Sequence, residues 1–391
     1  MSLLVDTLLS IQALLVFLLA GYEYLTLMNF PRLPASSTPT ILPLVSIILP
    51  AKDQARTIDQ CVNSLVHLDY PNKEVIVVQG RSTDETQNLL NKYKYKTALI
   101  EEDPLPEGWV GKNWACHQGY KQAKGELLLF TDGDSVHSHD SLTRTVSYLQ
   151  TTQADMVTIA PGTILNTFWE KLLQPPIFLL IMLFVGGKLV NRDNRQNALG
   201  NGQYMLFRRA SYEKIGGHYA VREKIVEDYA LARRLKASGM RMRMVTANDA
   251  VGVRMYSSLG EIWRGWRKNF YTVSQDHMLP SALLRLSWMF VILVLPYIVL
   301  SYGILQTPMS PLNPYLLAGG FMTFLLWLGI IILDRSIRIP IGYALLFPIG
   351  IIVYIAIGID STIRGALGLG FPWKGRVYGK PMMAKVEARI A

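Results

Sequence analysis

Four long apolar stretches limit what this 391-residue chain can become. Residues 8–28 are broken only by Gln12 and Glu23, and further stretches run over 283–305, 315–333 and 341–359. Each approaches the ~20 residues that cross a bilayer as a helix. One alone would read equally well as a buried core helix. Four in one chain, three of them C-terminal, read as membrane spans. The expected organisation is an N-terminal anchor over 1–30, a domain over 44–270, C-terminal membrane helices over 283–359 and a basic tail over 360–391.

No basic residue precedes the first stretch and no small-residue cleavage site follows it, so a retained anchor is expected. The first basic residue is Arg32. The positive-inside rule then places 32–282 in the cytoplasm of an integral membrane protein, in the cell membrane. The loop 306–313 is uncharged and suits the outside; Arg335 and Arg338 suit the inside. A third span would put the tail outside, yet it carries Arg364, Lys374, Arg376, Lys380, Lys385 and Arg389 against Asp360 and Glu387. That balance conflicts with the positive-inside rule, so either one C-terminal segment is re-entrant or the tail is an exception. The net charge of +10 fits attraction to anionic lipid. No basic run with interleaved aromatics has a nucleic-acid module's spacing, so no nucleic acid is expected as a partner. Cys61 and Cys116 lack a His partner at zinc spacing and fit a reduced compartment.

A Pro/Ser/Thr-rich linker over 31–43 leads into alternating elements. Strands are expected at 44–50, 74–78 and 126–130, and helices at 54–68 and 113–124. Another helix is expected to open at Ser82, with Glu85 at capping-box spacing. This order implies an α/β domain with a mostly parallel sheet. Residues 168–190 are strongly apolar around Pro175 and Pro176. One crossing there would put Asp134 and Asp228 on opposite sides of the membrane, so an interfacial helix or a partly buried hairpin is expected.

The strand at 126–130 runs into Thr131-Asp132-Gly133-Asp134. Ligands of open α/β sheets bind outside the carboxyl ends of strands. Two carboxylates held there suit Mg²⁺ or Mn²⁺ bridging a diphosphate, although Asp-Gly is also a common surface turn. Lys112, just before a helix, is either a phosphate contact or a solvated charge. Glu227 and Asp228 are either working carboxylates or an acidic pair offsetting a helix dipole.

Six segments in order resemble membrane-anchored family 2 glycosyltransferases. They are 45–51, 61–78, the segment Gly108-Trp109-Val110-Gly111-Lys112-Asn113-Trp114-Ala115-Cys116, Thr131–Asp134, the glycine-rich 200–218, and Val226-Glu227-Asp228. The third is similar to a segment of the branch acting on isoprenoid and other lipids, such as carotenoids or hopanoids. The resemblance implies a GT-A nucleotide-sugar-binding fold and inverting, metal-dependent transfer from a nucleotide diphosphate, expected to be a UDP-sugar, to a membrane lipid. It implies Asp228 as catalytic base with Glu227 beside it, and Asp132 and Asp134 as donor and metal ligands. Gly202 falls on the acceptor side.

Two departures bear on the donor. Where the family carries a carboxylate after the second strand, this chain has Gln79-Gly80-Arg81. Gln79 can reach a base edge through its amide, Arg81 a phosphate, and Asp53 after the first strand is a further base contact. In place of a Gln-x-x-Arg-Trp motif stands Trp263-Arg264-Gly265-Trp266-Arg267. Arg264, Trp266 and Arg267 serve either the diphosphate and acceptor or a membrane-interface helix. That loose fit argues against the first alternative, a processive polysaccharide synthase. The second alternative is a non-catalytic protein binding a sugar nucleotide or lipid.

Overall fold

The computed structural model describes residues 2–185, 187–274, 278–306, 313–336, 339–373 and 376–378. Its contacts cluster into two compact units. One is Phe30–Ile164 with Val185–Met255; the other is Met1–Asn29, Leu165–Phe184 and Tyr256–Ala391.

The first unit holds one eight-stranded sheet. Its strands are β1 (Val45–Ala51), β2 (Lys73–Gln79), β3 (Ala98–Glu101), β4 (Leu127–Phe130), β5 (Ser135–His137), β6 (Met156–Thr163), β7 (Met205–Arg208) and β8 (Met242–Val253). They lie in the order β3-β2-β1-β4-β7-β6-β8-β5. The half β3-β2-β1-β4 is wholly parallel. β7 runs antiparallel between β4 and β6. Val45, Ile47, Ile48 and Leu49 are fully buried, as a parallel strand covered on both faces requires. Helix Ile58–Val66 turns Ile58, Cys61, Val62 and Leu65 inward at helical spacing. From β1 the chain moves outward to β2 and β3, then returns through helix Gly111–Gln122 to β4 on the other side of β1. That reversal is a topological switch point, where such sheets open a ligand crevice.

The expected strands and helices form within a few residues, with one local correction. The helix expected from Ser82 starts at Thr86. Ser82 Oγ instead accepts the N–H of Asp53 at 3.0 Å. The carboxylate of Asp84 takes the N–H of Ala55 and of Thr86, each at 3.0 Å. Asp84 thereby ties the loop after β1 to the start of the helix.

In the second unit, four described helices are long and apolar enough to cross a membrane: Leu4–Thr26, Leu283–Gln306, Pro314–Leu333 and Phe347–Ala366. The last begins six residues later than the apolar stretch at 341, because Gly342–Leu345 forms a separate short turn and Pro348 sits where proline starts a helix. A π-turn at Phe290–Val294 interrupts the second span just before Pro296, whose ring removes a backbone donor. Gln12 donates to Val291 O at 2.7 Å, so the polar residue of the first apolar stretch meets a carbonyl at that irregular turn. Residues 168–185 form one helix, Phe168–Val185, with both prolines inside it. The loops 307–312 and 337–338 and the tail 379–391 lie outside the described residues, and with them much of the charge balance behind the expected topology.

Candidate active site

β4 carries Leu127–Phe130, all buried, to the crevice and releases the chain at Thr131. Thr131 Oγ1 donates to Gln203 O at 2.8 Å. Beneath the loop, Cys61 Sγ lies 3.6 Å from Asp132 O. Gly133 is closely packed: a Cβ there would stand 1.8 Å from Gln54 Oε1, so either that side chain or the loop must give way. Gly133→Ala is expected to displace the loop that spaces Asp132 from Asp134. Steady-state kinetics should show the donor KM rising by about tenfold or more, since displacements near 1 Å carry costs of that order.

Helix Glu227–Ala237 brings the opposing side, with Glu227 and Asp228 in its first turn. That position suits the helix dipole. Asp228 Oδ2 accepts the N–H of Gly202 at 2.9 Å, and Oδ1 accepts that of Tyr229 at 2.7 Å. Lys112, on helix Gly111–Gln122, spans the gap. Its Nζ lies 2.6 Å from Asp132 Oδ1 and 2.7 Å from Glu227 Oε1. Gly202 faces this ammonium, since a Cβ there would stand 2.7 Å from Nζ, 3.3 Å from Glu227 Oε1 and 3.4 Å from Asp228 Oδ2. The fold thus gathers Lys112, Asp132, Gly202, Glu227 and Asp228 from four separated segments.

Burial sets the electrostatics. It pushes Asp228 up to about 6, with Glu227 adding to the effect and Lys112 and two backbone N–H groups opposing it. Burial also works against the charge on Lys112, but Asp132, Glu227 and Asp228 outweigh it and hold its pKa well above the ordinary lysine value. Burial pushes the thiol of Cys61 up, helped by Asp134 and Asp132, and Cys116 shifts the same way. Both cysteines stay protonated, so neither is an activated nucleophile.

Among the described residues no three His, Cys, Asp or Glu side chains form a ready metal cage. The donor set nonetheless suits a hard divalent ion. Asp132 and Asp134 offer carboxylate oxygens, and a cation, the Lys112 ammonium, already sits on Asp132.

The remaining expected residues lie elsewhere. Asp53 follows β1 with a left-handed φ of 47°, and its Oδ1 accepts the N–H of Thr83 at 2.8 Å. Gln79 ends β2, half-buried, and Arg81 is exposed just beyond it. Arg264, Trp266 and Arg267 belong to helix Leu259–Ser274 of the second unit. There Arg264 is exposed, Trp266 Nε1 donates to Gln174 at 3.3 Å and Arg267 pairs with Asp360 at 3.0 Å.

Sequence reasoning missed Asn113. It is fully buried, and its Nδ2 lies 2.8, 3.1 and 2.9 Å from the carbonyls of Val221, Arg222 and Lys224. It fastens the loop that leads into Glu227 to the helix that carries Lys112. Adjacency to Lys112 was the one available signal. Gln54 was missed too, because nothing local marks a side chain that will pack on a distant glycine.

Residues 46–216 match the profile of Glycosyl transferase family 2. The matched stretch includes Lys112, Asp132, Asp134 and Gly202 and ends before Glu227 and Asp228. A 4,4'-diaponeurosporenoate glycosyltransferase of Staphylococcus aureus (strain USA300) is 27% identical over 233 residues, 58% of this chain. The match spans 61% of that relative's length. A mannosyltransferase from Pyrobaculum calidifontis, solved in complex with GDP-Man and Mn²⁺, superposes with a TM-score of 0.54 at 17% identity, covering 92% of this chain and 98% of that one. At that identity the likeness speaks for the fold, which is GT-A. Profile and fold converge on the same sheet: residues 46–216 resemble a family 2 glycosyl transferase domain, and the fold that holds them is GT-A-like.

Proposed function

We propose that this chain transfers a sugar from a nucleotide diphosphate donor, a UDP-sugar by expectation, to a membrane lipid at the cytoplasmic face, with inversion at the sugar carbon. The observation that carries the reading is Asp228. It is a carboxylate with a raised pKa, aimed by two backbone N–H groups, across the crevice from an acidic loop on the switch-point strand.

Single displacement needs a base on the acceptor side and charge stabilisation on the leaving side. Asp228, ionised at neutral pH, accepts the proton of an acceptor hydroxyl as it attacks. Glu227 holds Lys112 in place, and Lys112 offers its ammonium to a departing diphosphate. Mg²⁺ or Mn²⁺ held by Asp132 and Asp134 would neutralise charge on that diphosphate. Asp53, Gln79 and Arg81, at the ends of β1 and β2, are the candidate contacts to the donor's nucleoside. Arg264, Trp266 and Arg267 remain candidates for the acceptor or diphosphate.

The four apolar helices support an acceptor drawn from the bilayer. So does the relative whose name gives 4,4'-diaponeurosporenoate as what it glycosylates. Mass spectrometry of lipid extracts from cells with and without the chain tests this. One lipid class heavier by a single sugar, present only with the chain, is expected. An unchanged lipid profile beside a new polysaccharide would overturn the lipid acceptor.

A further inference from the structure

One oxygen of Asp132, a candidate metal ligand in this crevice, already holds a cation. Lys112 Nζ lies 2.6 Å from Asp132 Oδ1 and 2.7 Å from Glu227 Oε1. A divalent ion would sit about 2.0–2.1 Å from the same oxygen and use the same lone pairs. Two cations sharing that oxygen would also repel each other. A second observation is independent of the first: no three metal-binding side chains converge among the described residues. The protein therefore offers an incomplete coordination shell, which the oxygens of a diphosphate can complete. The lysine is able to move. Its side chain keeps 31% of its surface exposed, and a flexible four-carbon stem lets a point charge pass from carboxylate to phosphate.

We propose that Lys112 is a built-in counter-ion that keeps divalent metal off Asp132 until a nucleoside diphosphate arrives. The diphosphate draws the ammonium onto its own oxygens, and metal and diphosphate are then bound together and not separately. When the diphosphate leaves, Lys112 returns to Asp132 and the metal goes with the product. Glu227 is the side chain that parks the ammonium, which explains a carboxylate only 4% exposed beside the base. The inference rests on reading this crevice as a donor diphosphate site.

The test is Mn²⁺ binding to the full-length protein in detergent, followed by the loss of free Mn²⁺ signal in electron paramagnetic resonance. For the wild type, saturating UDP or GDP is expected to tighten Mn²⁺ binding by about tenfold or more, within the usual range of site-to-site coupling. Lys112→Met is expected to bind Mn²⁺ alone about tenfold more tightly than wild type, with the nucleotide's effect much reduced. Adding Asp132→Asn to that variant should remove the gain. The proposal is overturned if wild type binds Mn²⁺ alone as tightly as with nucleotide, or if Lys112→Met gains nothing. Should Lys112→Met lose its cooperative thermal transition, the two wild-type titrations decide. Tight binding of Mn²⁺ alone by a wild type that still transfers sugar defeats the counter-ion and leaves the function standing. Absence of any nucleotide-promoted binding, with no sugar transfer, defeats both.

Discussion

Asp228→Asn is expected to lower kcat/KM for a hydroxyl acceptor by about 10²–10⁴-fold, the range supplied by a positioned general base. The amide keeps the side chain's shape and can still accept from a backbone N–H, so donor binding should stay near the wild-type level. The wild-type pH profile gives a companion result. Because Asp228 titrates near 6, kcat/KM should fall tenfold per pH unit below about 6, and this limb should vanish in the variant. Stability should move the other way. A carboxyl whose folded pKa is raised binds its proton more tightly when folded. It therefore costs stability above its folded pKa of about 6, and the cost disappears below the unfolded value near 3.8. Asp228→Asn removes that pH-dependent cost but leaves one of the two backbone N–H donors without an acceptor, so thermal unfolding should lose the wild type's decline in stability between about pH 4 and 6. An acceptor carboxylate, by contrast, arrives ionised and needs no base. A loss of less than about tenfold in Asp228→Asn on a hydroxyl acceptor would count against Asp228 as the base, because the proton-transfer factor is the part removed.

Lys112→Met is the second large effect. It removes a point charge aimed at the leaving side, and kcat/KM for the donor should fall by about 10²–10³-fold, as when one electrostatic stabiliser is lost. Lys112 also pulls the pKa of Asp228 down. Without it the acid limb of kcat/KM should shift above 6, the direction expected when a nearby positive charge is removed. Lys112→Arg keeps the charge but not the shape, because a planar guanidinium directs its donors differently from a compact ammonium held between Asp132 and Glu227. It should rescue little.

Much of the fold was legible because its signals are local. Leu127–Phe130 is a fully buried strand, and four consecutive apolar residues before a turn read that way. The helix Ile58–Val66 declares itself by spacing. Ser82 misled because a capping-box pattern is satisfied in sequence whether or not the backbone turns helical there. Asp84 won, since it could bond Ala55 and Thr86 at once. The fourth apolar helix began later than its hydropathy because proline, not apolarity, sets a helix start.

By itself the sequence determined the α/β order and the apolar helices, and offered Asp132, Asp134, Glu227 and Asp228 as candidates, because hydrophobic period and motif are read residue by residue. Only the tertiary structure decided who meets whom. It set Lys112 between Asp132 and Glu227, residues that lie 20 and 115 positions further along the chain. It also put Gly202 against the ammonium and had Asn113 hold the loop before the base. Those contacts come from strands folding about the switch point, and their energies depend on burial that no local pattern records. The same burial pushes the carboxyl of Asp228 up to about 6.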